Sequence, residues 1–350
     1  MERERALLFN RSDVQELLSL DECIAAVEKV FRRQGEGKIP PSGILGVRTQ
    51  SGGLHVKTAC LSGAKNYIVA KLNTNFPQNY ARFGLPTIQG VIVLYDADNG
   101  RLLAVLDSIE ITLKRTAAAT AVAAKYLARQ NSSVGTMCGC GEQGRAQVCA
   151  LSLMLPLKKV YAFDLESNAS LRFAAELSRE LKIDIEPVST LPGAIRNSDV
   201  VVTCTPATEF FVRKEDVAPG TFIAAVGADD SHKTEIDPAL LASAKVVADS
   251  LENVCSIGDT HHAIAAGLMQ KENIYAELAE VVAGKKTGRT SEAEITIFDS
   301  TGVAIEDAAA AAIVYEKALT VGIGNHFEFA ASNSNIVSSR AIKEKRKLLT

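Results

Sequence analysis

Apolar residues at Ile24, Val27, Val30 and Phe31 recur at three- and four-residue spacing behind Ser19-Leu-Asp-Glu22, a capping-box pattern, and the run stops at Gly35 and Pro40-Pro41. One amphipathic helix is therefore expected first. From Ile44 the period changes to that of strands, predicted over 54–58, 67–72, 90–95 and 101–106, with the last two joined as a hairpin through Asp96-Ala-Asp-Asn-Gly100. This mostly antiparallel region reads as a unit of its own. An Ala-rich stretch over 109–128 reads as a buried helix, with Lys114 and Arg115 near its start. Beyond Ser133 strands alternate with helices: strands over 136–138, 160–164, 199–204, 221–226, 245–248 and 294–298, helices over 143–155 and 167–181. Such alternation is the pattern of a doubly wound parallel sheet covered on both faces. A last Ala-rich helix over 304–319 is expected to pack back on the first unit. The fold class is α/β, with residues 128–303 as the doubly wound domain, residues 1–127 with 304–337 as an α+β domain, and residues 338–350 as a tail.

Composition changes this picture little. The chain has 350 residues, 47% of them hydrophobic and 23% charged, enough for two ordinary cores. A net charge of −3 argues against a general nucleic-acid binder, which needs a basic excess. The basic cluster at 343–347 is terminal and polar and reads as a solvated tail. Seven cysteines, an odd set without the paired spacing of zinc sites or a disulfide scaffold, read as reduced thiols of a cytoplasmic protein. The charged N-terminus lacks the apolar core of a signal peptide, and no apolar run is long enough for a membrane span. Adjacent His261 and His262 have no third ligand spaced for zinc, so no metal is expected.

The candidate chemistry lies where the apolar run over 134–138 enters Gly139-x-Gly141-x-x-Gly144 and helix-forming residues follow. Gly139 permits the turn, Gly141 lets the backbone approach a pyrophosphate, Gly144 allows close packing of helix on strand, and the free N–H groups of the first helical turn, at Glu142 and Gln143, face the anion. A second apolar strand ends in Asp164, about 20 to 25 residues on, where an adenosine ribose needs an acceptor for its 2′-OH. Leu165 and Glu166 follow, with no Arg or Lys to pair a 2′-phosphate. NAD is thus preferred to NADP.

Lys71, Gly84-Leu-Pro-Thr87, Lys114-Arg-Thr-Ala117, the Gly139 turn, Val226-Gly-Ala-Asp229-x-x-x-Lys233 and Phe298-Asp-Ser-Thr-Gly302 occur in an order that resembles the ornithine cyclodeaminase/mu-crystallin family, from about the first helix to Leu319. The resemblance implies a Rossmann domain between the parts of a substrate and dimerisation domain, a homodimer, and a small amino acid or imino acid as substrate. It makes Arg48, Lys71 and Arg115 the cations that hold the substrate carboxylate, as suits a planar guanidinium fork and an ammonium point charge. Asp229 takes the place of the catalytic carboxylate, able to exchange protons with the substrate nitrogen, Lys71 counts with it as catalytic, and Asp230 is the neighbour of Asp229. Thr87, Thr116, Gln143, Thr205, Val226, Gly227, Lys233 and Ser300 match positions that line the cofactor, as Arg115 also does.

Members of the family differ in the fate of the imine formed at the substrate Cα. Cyclodeaminases return the hydride and expel ammonia; dehydrogenases and imine reductases stop after one transfer. The cyclodeaminases resembled here carry a Glu followed by an apolar residue, Met and Pro, and the matching stretch is Leu54-His55-Val56-Lys57-Thr58, with His55 in the place of that Glu. An imidazole does not pair a distal ammonium as a carboxylate does. Net redox on an amino or imino acid is therefore favoured over conversion of ornithine to proline. A non-catalytic binding protein, as mu-crystallin exemplifies, is the reading from another class, and Lys71, Arg115, Asp229 and the complete glycine turn weigh against it.

Overall fold

The computed structural model describes residues 5–329, built around two sheets. The basic cluster at 343–347 and the tail lie outside the described residues. One sheet has eight strands, all parallel, in the order Ala276–Glu277, Lys245–Ala248, Thr296–Asp299, Phe222–Ala225, Val200–Thr203, Val134–Cys138, Lys159–Phe163 and Asp184–Pro187. Its central strands are buried along their length, which is why they read as short continuous apolar runs. The chain runs outward from Val134–Cys138 on one side, returns, and continues outward from Val200–Thr203 on the other. Between these two neighbours the order reverses, and the crevice outside their carboxyl ends is where ligands bind in such sheets.

The other sheet has seven strands in the order Asn325–Phe327, Ala6–Phe9, Leu102–Asp107, Ile88–Asp96, Tyr67–Asn75, Gly53–Leu61 and Gly43–Arg48. The predicted hairpin through Asp96 to Gly100 is present, with Asp96 accepting from the N–H of Asp98. All pairs are antiparallel except Ala6–Phe9 with Leu102–Asp107.

The expectation that an amphipathic helix comes first needs correction. Strand Ala6–Phe9 and helix Arg11–Leu17, capped by Asn10, precede helix Leu20–Gly35. Four and seven residues are too few to display a period. Strands Gly43–Arg48 and Asp184–Pro187 also carried no readable signal, because each is a sheet edge with little burial to impose alternation.

The two sheets meet through helices. Ser108–Leu127 starts at Asp107, whose carboxylate accepts from the N–H of Glu110 at 2.9 Å. It buries Ala117, Ala118, Ala119, Ala121, Ala123 and Ala124 completely, and these small side chains let it lie against helices Leu20–Gly35, Glu142–Met154 and Ala304–Val321 at once. Helix Ala304–Val321 in turn packs on strands Gly53–Leu61 and Tyr67–Asn75, as expected, and ends on Gly322 in the left-handed region at φ 75°.

Candidate functional site

The glycine turn is built as its spacing requires. Gly139 has φ 101°, reserved in practice for glycine. A Cβ at Gly144 would stand 2.0 Å from the carbonyl oxygen of Gly139, so helix Glu142–Met154 touches the turn directly. A Cβ at Gly141 would meet nothing within 4 Å, and no side chain caps this helix, which leaves its first N–H groups facing open space. Asp164, just past strand Lys159–Phe163, accepts from the N–H of Cys140 at 2.8 Å and of Glu166 at 2.9 Å. The carboxylate thus sits against the turn, at the place that suits a ribose diol. Glu142 is exposed and pairs with Arg11 at 3.1 Å.

From this turn a cleft of about 280 Å³ runs toward the mixed sheet. Of the expected residues it gathers Arg115, Thr116, Gln143, Thr205, Val226, Gly227, Asp229, Lys233 and Ser300, joined by Ile88, Thr112, Thr301 and Gly302. Asp229 lies beyond strand Phe222–Ala225, with the Lys233 ammonium 2.6 Å away. The cleft walls oppose ionisation of Asp229, but its side chain keeps 47% exposure and Lys233 outweighs them, so the carboxyl is held below its ordinary value. Thr87 does not reach the cleft wall; its neighbour Ile88 does, while the Thr87 carbonyl accepts from the N–H of Phe76.

The three expected cations are distributed differently from one another. Arg115 lines the cleft and donates to Glu306 at 2.7 Å and Asp307 at 3.0 Å, both in the first turn of helix Ala304–Val321. Lys71 lies behind it, buried, with Nζ 3.0 and 2.8 Å from the two oxygens of the same Asp307. Burial, then the Arg115 charge, push Lys71 down to about 7, against the pull of Asp307. Burial likewise pushes Glu306 up to about 7 although Arg115 opposes it. Asp307 is held below the ordinary carboxylate range because Lys71 and Arg115 overcome its desolvation. Arg48, on the edge strand and mostly exposed, reaches across the cleft mouth to Asp230 at 3.1 Å.

Several structural supports had no signature in the chain. Glu235, fully buried, accepts from Thr203 Oγ1 at 2.6 Å, from Thr205 N–H and Oγ1 at 2.7 Å each and from Gly227 N–H at 2.9 Å. It thereby ties together the ends of two strands on the cleft. Burial raises it above its ordinary value, with these donors resisting. Asp249 accepts from the N–H groups of Thr301 and Gly302 at 2.7 and 2.6 Å and from Ser300 Oγ at 3.2 Å; burial and Asp299 push it up to about 6. Lys57 donates to the carbonyls of Thr301 and Gly302 at 3.0 and 2.8 Å. The ring of His262 meets the Lys233 carbonyl at 2.9 Å and that of His261 the Cys255 carbonyl at 3.2 Å, so the histidine pair braces loops beside the cleft.

Comparison with known proteins shows the family of the chain. The family model described as the ornithine cyclodeaminase/mu-crystallin family matches residues 4–322. The chain belongs to that family. An archaeal alanine dehydrogenase dimer with bound NAD is similar at TM-score 0.88 and 38% identity, covering 93% of this chain and all (100%) of that one. The Δ1-pyrroline-2-carboxylate reductase of Thermococcus litoralis, in complex with NADH and L-proline, is similar at TM-score 0.87 and 35% identity over 91% and 99% of the two chains. The iminosuccinate reductase of Paracoccus denitrificans, in complex with NAD+, follows at 0.85 and 32% over 93% and 100%. Among the described residues no helix is long and apolar enough to cross a membrane, and all seven cysteines are free.

Proposed function

We propose that this chain is an NAD-dependent oxidoreductase that moves hydride between the nicotinamide and the Cα of a small amino or imino acid. The observation that carries the reading is one cleft, at the carboxyl edge of the parallel sheet, holding the Asp229–Lys233 pair and the Arg115 guanidinium beside the glycine turn. The residues fit the dinucleotide: open space at Gly141, free helix N–H groups and the Asp164 carboxylate stand where phosphates and ribose need them. Bound NAD supplies the hydride acceptor or donor. In this reading Arg115, with Lys71 behind it and Arg48 at the mouth, attracts the substrate carboxylate. Asp229 exchanges a proton with the substrate nitrogen, and Lys233 keeps it ionised until it accepts. Glu235 and Asp249 hold Thr205, Gly227 and Ser300 in place from behind. Glu142, Gln143, Thr116 and Val226 complete the cofactor side.

The two sheets correspond in this reading to two domains, residues 128–303 for the cofactor and residues 1–127 with the helix from Ala304 for the substrate. The latter also forms the homodimer. Its sheet turns Leu45, Val47, Ile68 and Val91 outward at 40 to 60% exposure, and the archaeal alanine dehydrogenase to which the chain is similar is a dimer. Light scattering on the full chain measures this.

Steady NADH oxidation with a 2-oxo acid plus ammonium, or with a cyclic imine, is the expected activity. Conversion of ornithine to proline without net change in NADH would overturn it in favour of cyclodeamination.

A further inference from the structure

The mixed sheet turns toward the cleft a face whose side chains are only partly accounted for. Alternation along each strand places three cross-strand rows on this face. Lys57 stands in register with Lys71 and Ile92; next come Gly46, His55, Asn73 and Gly90; the outermost row is Arg48, Gly53, Asn75 and Ile88. Ile88 lines the cleft, and the carbonyls that hold Lys57 belong to cleft-lining Thr301 and Gly302. None of these rows contains a carboxylate. Asp307 reaches in to Lys71 and Asp230 to Arg48, leaving the middle of the face unclaimed.

That middle has unspent hydrogen-bonding capacity. Lys57 carries three N–H donors and uses two on carbonyls; no carboxylate pairs with it among the described residues. Desolvation, then Arg115, lower its affinity for a proton, so an anion beside it would be welcome on both counts. The ring of His55, half-buried, makes no hydrogen bond among the described residues, and Asn73 Oδ1 is buried without a partner. A buried polar atom left open as Asn73 Oδ1 is calls for a ligand or water. The amide of Asn73 can present either its oxygen or its NH2, since the two are interchangeable by rotation. The row is also recessed. A Cβ at Gly46 would meet nothing within 4 Å, and one at Gly90 would stand 2.2 Å from both Asn73 Oδ1 and the Leu72 carbonyl oxygen, so glycine is required beside that amide.

We propose that Lys57, His55 and Asn73 bind a second, distal carboxylate, and that the substrate is a short amino or imino dicarboxylate. This rests on the reading that the cleft acts on the Cα of an amino or imino acid. Successive residues on one face of a strand are about 7 Å apart, so His55 and Asn73 lie one such step from the row that Lys57 shares with Lys71, a reach that suits a chain of four or five carbons. The same recess is a poor host for a distal ammonium, which meets Lys57 there, and for an apolar side chain, which would bury three open polar groups.

The test compares succinate with butyrate, equal in carbon number and differing by the second carboxylate, as ligands of the NAD-saturated full chain by calorimetry at constant ionic strength. Charge-assisted hydrogen bonds predict that succinate binds about tenfold to a hundredfold tighter. His55→Ala and Lys57→Met, each with its melting temperature checked, should shrink that preference. Equal affinities in the wild type, or a preference kept in both variants, would overturn the assignment. A parallel assay with NADH and ammonium, offering oxaloacetate or 2-oxobutyrate, separates the two readings. Faster oxidation with 2-oxobutyrate overturns the dicarboxylate alone; no oxidation with either or with a cyclic imine, while succinate is still preferred, overturns the redox reading and leaves the carboxylate site standing.

Discussion

Adding one methyl group at Gly144, and separately at Gly141, tests how the glycine turn divides its work. At Gly144 the new Cβ would lie 2.0 Å from the Gly139 oxygen, where ordinary contact begins at 3.4 Å, so helix and turn must part by about 1.4 Å. Backbone stands on both sides and no side chain can rotate away. Overpacking of this kind costs about 1–3 kcal/mol, which for a domain of 150–250 residues lowers the melting temperature by about 2–12 °C. At Gly141 the backbone, with φ −84°, accepts any residue and the Cβ points into open space, so Gly141→Ala should melt as the wild type does. Its methyl group nevertheless stands at the helix N-terminus where phosphates approach, and NADH should bind more weakly. Scanning fluorimetry gives the first quantity and NADH fluorescence titration the second. A Gly144→Ala protein with unchanged melting temperature, or a Gly141→Ala protein destabilised as much as Gly144→Ala, would refute this account of the turn.

Asp164→Asn keeps an acceptor for the Cys140 N–H but removes the charge facing the ribose; NADH affinity should fall by about 1 kcal/mol, roughly fivefold, and equal affinity would place the adenosine elsewhere. Asp229→Asn should lower turnover by about two to four orders of magnitude at saturating NADH with little change in NADH affinity, whereas near wild-type turnover would shift the role to Asp230. If substrate capture needs the Lys71 ammonium, kcat/KM falls as pH rises through its value of about 7. Asp307→Asn removes the nearest anion, which lowers the ammonium's pKa, so this alkaline limb should move to lower pH; a limb that stays in place excludes Lys71 as its source.

The glycine turn, the Asp164 carboxylate and the alternation of strands and helices were legible in the chain because each is local. A turn needing φ 101° and a helix packed at 2.0 Å against it admits glycine and little else, and a strand buried on both faces must be apolar throughout. Element order also sufficed for the Ala-rich helices, whose small side chains announce close packing. What the fold alone decided is how distant segments meet. Strand Thr296–Asp299 slips between Phe222–Ala225 and Lys245–Ala248, and only this brings Ser300 to Asp249 and the first turn of the following helix to Arg115 and Lys71. Glu235 is a lone acid in sequence and a fourfold acceptor in the structure, because the strand ends it joins are 32 and eight residues away along the chain. Arg48, Lys71 and Arg115 look alike as cations. Their differing burial, which fixes the electrostatic work each must do, follows from sheet register and helix docking, and those are set by the packing of the whole chain.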